Sequence, residues 1–179
     1  MVRAFVAIDL CDEVRTEIRE SQDLLKRCDA KLSLVDPGII HLTLKFLGEV
    51  DEPKIGRVID ILQQICHEPF MITVGGPVGS SRSKPRVIWC NVMDQGECSD
   101  LHYQVEEALA PLGFERENRE FLAHATVARV KQFHPSLYGV LGTVPKGSLG
   151  NCIVKGMKLK KSTLTPTGPV YEDLLEVAF

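Results

Sequence analysis

Apolar residues in this chain fall into short runs and helical stripes whose spacing predicts a mixed fold. Near the N-terminus, Arg3-Ala4-Phe5-Val6-Ala7-Ile8-Asp9-Leu10 is an almost unbroken apolar run between charges, the pattern of a buried strand. Residues 12–28 follow as an amphipathic helix. A second helix opens at Glu52-Pro53, where proline suits the first turn, and carries the stripe Ile55, Val58, Ile59, Leu62 and Ile65. Residues 70–74 read as a strand that Gly75-Gly76-Pro77 should stop. Another strand covers 86–92, and a helix covers 99–112, ended by Pro111 and Gly113. Apolar residues return over 120–130. Residues 135–147 are ambiguous, because Gly139 and Gly142 weaken a short helix around Leu137, Val140 and Leu141. Apolar and basic residues alternate loosely over 151–161, and 170–179 looks like a last strand returning to the sheet. The sum is roughly seven to nine strands and three or four helices: α+β, with two antiparallel sheets lining a central cleft and helices on the outer faces.

Within this pattern one short motif occurs twice, as His41-Leu42-Thr43-Leu44 and His124-Ala125-Thr126-Val127. Strand side chains alternate between faces, so each His and Thr project together while the residues between and after them enter a core. The lead-ins match too, each being an apolar strand, a helix and then the motif. Phe5 precedes His41 by the same number of residues as Ile88 precedes His124. Two halves related by a pseudo-two-fold axis follow, and residues 1–179 read as a single two-lobed domain with one motif from each lobe.

Of the 179 residues, 44% are hydrophobic and 25% charged, which suits one globular domain of two packed lobes. No apolar run approaches the roughly 20 residues of a membrane span, and strand-like sequence follows Met1 without a targeting segment, so the expected location is the cytoplasm. The six cysteines contain no Cys-x-x-Cys spacing and are expected as free, mostly buried thiols rather than disulfides or a zinc site. A net charge of −3 argues against nonspecific coating of nucleic acid but allows local basic surfaces. Arg82, Lys84 and Arg86 form one such group in a Gly/Ser/Pro-rich loop, and Lys155, Lys158, Lys160 and Lys161 form another on a late strand. Each is either a solvated face or a phosphate-handling surface.

Two imidazoles and two hydroxyls on one open face suit acid–base chemistry at phosphorus. A neutral histidine takes the proton of an attacking water and a protonated one supplies the departing oxygen; the ordinary pKa of about 6.5 lets both forms coexist near neutrality. Thr43 and Thr126 can hydrogen-bond the non-bridging oxygens. No covalent nucleophile, metal or cofactor is required, and without a lysine-centred nucleotidyl-transfer motif or a Gly-rich phosphate loop, ATP is not expected. Arg129 lies five residues after His124 and Phe46 five after His41, an odd step that points away from the motif face in a regular strand. Arg129 reaches the cleft only if the strand bulges, twists or ends there. Phe46 then becomes an aromatic beside the site, core packing being its other reading. His67, His102 and His134 have no such context and carry no assigned role.

The doubled His-x-Thr-x motif resembles that of the two-histidine (2H) phosphoesterase superfamily. The opening Arg3-Ala4-Phe5-Val6-Ala7-Ile8-Asp9, the extended motifs running to Gly48 and Arg129, and the ending Ser162-x-Leu164-x-x-x-Gly168-Pro169-x-Tyr171 are similar to the RNA 2′,3′-cyclic phosphodiesterases, first described as 2′–5′ RNA ligases. The resemblance spans nearly the whole chain. It implies His41 and His124 as catalytic residues, with Thr43, Thr126, Arg129 and Phe46 on the substrate. It further implies metal-free hydrolysis of a terminal 2′,3′-cyclic phosphate to a 2′-phosphate on RNA, tRNA-derived ends included, by a monomer that engages no membrane. His124 would activate water and His41 protonate the leaving 3′ oxygen. One departure is the loop Gly79-Ser80-Ser81-Arg82-Ser83, where the family often carries an aromatic. Alternatives are ligation of the cyclic end to a 5′-hydroxyl, an RNA-end binding protein without turnover, and a small cyclic nucleotide or cyclic ADP-ribose phosphate as substrate.

Overall fold

The computed structural model describes residues 1–166 and 168–179. Its strands are β1 (Val2–Asp9), β2 (Lys31–Leu34), β3 (His41–Val50), β4 (Phe70–Gly79), β5 (Val87–Met93), β6 (His124–Gln132), β7 (Ser148–Val154), β8 (Gly156–Thr165) and β9 (Gly168–Ala178). Four α-helices join them: α1 (Asp12–Leu25), α2 (Glu52–Leu62), α3 (Glu97–Leu109) and α4 (Ser136–Thr143).

The strands run antiparallel in the order β7-β4-β5-β6-β3-β1-β8-β9, a path that reads as two like halves outward from its middle. Leu42 of β3 opposite Ala125 of β6 is the one residue pair joining the halves among the described residues. Beyond it the motif strands diverge, and β2 takes the edge of β6 that β3 has left. That divergence opens a cleft on the face away from the helices. On the other face, α1 follows a first-half strand yet packs against β4, β6 and β7, and α3 follows a second-half strand yet packs against β3. Each half thus covers the other half's sheet. Val14, Ile18 and Leu25 of α1 and Leu101, Val105 and Leu109 of α3 are wholly buried there, opposite Leu42, Leu44, Ala125 and Val127.

Several expected boundaries move, each for a local reason. Helix α1 stops at Leu25 rather than running to residue 28, the next turns tightening through Arg27 N–H to Leu24 O and Cys28 N–H to Leu25 O. Strand β4 continues through Gly75-Gly76-Pro77, because its register shifts there and the bulge absorbs the proline. Gly76 is required at this point: a Cβ on it would meet the Pro145 carbonyl oxygen at 1.7 Å. Residues 151–161 belong to two strands, broken at Lys155; the next residue, Gly156, passes against the Val177 carbonyl. The ambiguous 135–147 segment contains α4, held by buried Leu137. Strand β2 is an addition to the predicted set, its four residues being too few for periodicity to declare.

The cysteines depart further from expectation. Cys11 and Cys152 form a disulfide, with Cα atoms 5.7 Å apart, between the start of α1 and β7. They are 141 residues apart in sequence, so only the tertiary fold brings them together. Cys90 and Cys98 are the buried free thiols anticipated, whereas Cys66 is exposed and Cys28 half-buried. Burial pushes the Cys90 thiol up to about 12, leaving it protonated and inert. Among the described residues no helix is long and apolar enough to cross a membrane.

Candidate active site

The antiparallel register at Leu42–Ala125 brings His41 alongside Thr126 and Thr43 alongside His124, with all four side chains on the face opposite the buried pair. The four line one cleft of about 1720 Å³, together with Phe46, Arg129, Arg3 and Tyr171. All six residues read from the sequence as site candidates therefore meet in a single cavity.

Both imidazoles are held the same way. His41 Nδ1 donates to the Ile39 carbonyl at 2.8 Å, and His124 Nδ1 donates to the Leu122 carbonyl at 2.7 Å. In each case a backbone acceptor two residues upstream fixes the Nδ1–H tautomer and leaves Nε2 for the cleft. Among the described residues neither Thr43 nor Thr126 spends its hydroxyl on a protein acceptor. An aromatic from the adjacent strand supports each ring: Phe5 stacks on His41 at 4.8 Å between centroids, and Trp89 lies on His124 at 4.9 Å. His41 also meets the edge of Tyr171 at 5.3 Å. Burial among these rings lowers the pKa of His41 below the ordinary histidine value. The Lys160 and Arg15 charges push the same way, against the Ile39 hydrogen bond and the Asp9 charge. Burial raises Tyr171, opposed by the Arg129 and Arg3 cations, so its phenol remains a protonated donor at neutral pH.

Arg129 and Phe46 reach the cleft because both motif strands bulge at the same place. On β3, Thr43 pairs with Ala7 and Lys45 with Val6, leaving Leu44 as an extra residue. On β6, Thr126 pairs with Trp89 and Ala128 with Ile88, leaving Val127 extra. One inserted residue reverses the alternation, so position five after each histidine returns to the motif's face. Phe46 is 66% exposed, which removes the core-packing reading.

Each bulge is gripped from behind by a buried polar side chain that sequence reasoning left without a role. His102 of α3 donates from Nδ1 to the Leu44 carbonyl at 2.7 Å, its ring stacked on Phe121 at 4.3 Å. Gln22 of α1 donates from Nε2 to the Val127 carbonyl at 2.9 Å and to the Val35 carbonyl at 2.7 Å. The first bulge carries a further hold, a buried ion pair from Lys45 to Glu106 of α3 at 2.5 Å, with Lys45 also donating to the Glu115 carbonyl. The only forewarning in the sequence is a polar residue on the apolar stripe of each helix. Lys158 and Lys160, read as half of a basic surface, are instead neutralised by Asp9 and Asp173, and Lys161 by Glu172. Among the described residues no group of three or more His, Cys, Asp or Glu side chains is arranged to hold a metal ion.

This geometry has counterparts among known proteins. The family described as LigT-like phosphoesterase matches residues 8–89. The RNA 2′,3′-cyclic phosphodiesterase of Archaeoglobus fulgidus is 38% identical over 97% of this chain and 98% of its own length. That of Methanothermobacter thermautotrophicus is 35% identical over 97% and 96%. Among solved structures, a protein of Thermus thermophilus superposes with a TM-score of 0.84 at 27% identity, covering 98% of this chain and 97% of that one. Escherichia coli LigT in complex with 3′-AMP superposes at 0.83 and 25%, covering 99% and 98%.

Proposed function

The chain belongs to the LigT-like phosphoesterases, a 2H family, and is a phosphodiester hydrolase; from that premise we propose that it opens the terminal 2′,3′-cyclic phosphate of RNA to a 2′-phosphate by acid–base catalysis between His41 and His124. The observation that carries this reading is the matched pair of imidazoles, each with its Nδ1 tied to backbone and its Nε2 left to the same cleft. Residues 1–179 act as one two-lobed unit, and both motifs come from one chain, so the site needs no second copy. The expected setting is RNA processing in the cytoplasm.

The step balances without a metal. His124, on the more open side of the cleft, takes a proton from water as the water oxygen bonds to phosphorus. The P–O3′ bond breaks, and O3′ receives the proton of His41, giving a 2′-phosphate and a 3′-hydroxyl. A desolvated imidazolium gives up its proton readily, which suits His41 to the acid role once the bound phosphate anion has favoured its charged form. Thr43 and Thr126 donate to the non-bridging oxygens, and Arg129 neutralises the charge that gathers there. Phe46 offers a face for the terminal base.

The test is turnover, in EDTA and without ATP, of an RNA oligonucleotide ending in 2′,3′-cyclic phosphate. Wild type should release a 2′-phosphate, and His41→Ala or His124→Ala should each lose at least ~10²-fold in rate. Intact RNA binding without turnover would leave an end-binding protein, and a joined product with 5′-hydroxyl RNA would indicate ligation. With sulfur in place of the 3′ bridging oxygen the leaving group departs unprotonated; His41→Ala then recovers most of its rate and His124→Ala does not. The opposite pattern would exchange the two roles.

A further inference from the structure

The net charge of −3 conceals a strongly uneven distribution. No aspartate or glutamate occurs between Glu68 and Asp94, nor between Glu120 and Glu172. Strands β4, β5, β6 and β7 therefore carry no carboxylate, and neither does β2 on the edge of β6. Of the two basic groups legible in the sequence, Lys158, Lys160 and Lys161 are consumed by ion pairs within the first half. The other group is not: among the described residues Arg82, Lys84 and Arg86 form no ion pair, and neither do Arg129 and Lys131.

Of these five, Arg129 and Lys131 line the cleft, and strand pairing of Val87 with Arg129 brings the group of Arg82, Lys84 and Arg86 to the same end of the sheet. The Val130 N–H donates to the Arg86 carbonyl at 2.9 Å, so Arg86 lies across from the stretch of β6 that sends Arg129 and Lys131 into the cleft. The loop bearing Arg82 and Lys84 is built rather than loose. Ser80 Oγ accepts from the Arg86 and Val87 N–H groups, both at 3.2 Å, Ser81 Oγ accepts from Lys84 N–H at 3.2 Å, and buried Pro85 closes it against Gly79. The cleft's acids, among them Asp23, Asp36, Glu49, Glu117 and Glu120, come from other elements. One exit from the catalytic centre is thus cationic and free of carboxylates on both strands that form it.

We propose, on the reading that the substrate is an RNA end, that the polynucleotide leading to the cyclic phosphate leaves the cleft over the distal end of β6 and lies along the β4–β5 loop, its phosphates neutralised by Arg129, Lys131, Arg86, Lys84 and Arg82. The fold supplies uncompensated positive charge, spaced along a rigid track that begins at the reacting phosphate, to a ligand that is a chain of negative charges.

A variant carrying Arg82→Gln, Lys84→Gln and Arg86→Gln tests this, with two substrates. One is a nucleoside 2′,3′-cyclic phosphate, which fills the centre but not the track; the other is an oligonucleotide of about ten residues with the same end, long enough to cross it. The expected result is an unchanged kcat/KM on the mononucleotide. On the oligonucleotide KM rises roughly ten-fold or more, and the slope of log KM against log salt falls by about two to three, one per lost phosphate contact. An unchanged oligonucleotide KM and salt slope would overturn the proposal. So would an equal loss on both substrates, which would place the effect on the fold or the centre. If wild type turns over neither substrate, the underlying reading of the active site falls, and this proposal with it.

Discussion

Strands β3 and β6 have the same motif, the same inserted residue and the same hold on the histidine tautomer, yet they stand in different surroundings. Around β3 the support is ionic and buried. Lys45, 2% exposed, pairs with Glu106, and beside His41 the buried Lys160 is locked between Asp9 and Asp173. Around β6, among the described residues, the support is neutral, the Gln22 amide behind Val127, and Arg129 and Lys131 are unpaired and open to the cleft. The backbone geometry around the two histidines is the same in both halves, while the side chains around it differ. The first half holds one imidazole in a largely buried setting; the second turns Arg129 and Lys131 into the cleft.

The comparison can be broken most forcefully at its ionic side. Glu106→Gln leaves Lys45 charged, buried and short of its partner, and should cost about 3–5 kcal/mol in denaturant unfolding. The double replacement Lys45→Met with Glu106→Leu should restore most of that stability, because removing both charges removes the desolvation penalty as well. A single variant no less stable than wild type would mean that the pair does not anchor β3. Next in size, Arg129→Met should lower kcat/KM by roughly 10- to 100-fold, the worth of a charge-assisted bond to phosphate, with Phe46→Ala, at the same position on β3, acting through KM instead. Similar kcat losses from both would show that the two positions are not specialised. Gln22→Leu removes two buried bonds and should cost about 1–3 kcal/mol. If Gln22 sets the bulge, kcat falls several-fold even at temperatures where the variant is fully folded, and Gln22→Glu or Gln22→His recovers little.

What is readable in the sequence, and what is not, divides at the bulge. The motif residues stand out because period-two alternation is local: His41, Thr43, His124 and Thr126 can be placed on one face from their own neighbours. Arg129 and Phe46 can be placed only conditionally, since nothing in Thr126-Val127-Ala128-Arg129 declares that Val127 is an insertion. That depends on what stands opposite it on β5 and on a Gln22 amide arriving from a distant helix. His102 escapes notice for the same reason, a lone histidine on a helix being ordinary until the Leu44 carbonyl is seen beneath it. The exchange of α1 and α3 between halves and the Cys11–Cys152 link are likewise products of tertiary packing. The two basic groups look alike as composition. They separate only when strand pairing sets Lys158 and Lys160 against Asp9 and Asp173 and leaves Arg82, Lys84 and Arg86 with no carboxylate near them in sequence or sheet.

The smallest effect probes the electrostatics that distinguish the two imidazoles. Burial is the main reason His41 lies below the ordinary histidine value, with the Lys160 cation adding to it and Asp9 opposing. Replacing Lys160 by glutamine removes a positive charge that disfavours the imidazolium and releases Asp9, which favours it; both changes raise the His41 pKa. Lys158 still bridges Asp9 and Asp173, so the network keeps a cation and the fold should persist. In the bell-shaped dependence of kcat/KM on pH, which reports the free enzyme, the limb belonging to His41 should therefore lie below the ordinary value in wild type and move upward in Lys160→Gln. The other limb should stay where it is. Movement of both limbs together, or of neither, would show that the ionic cluster serves only to hold β1, β8 and β9 in register and does not tune His41.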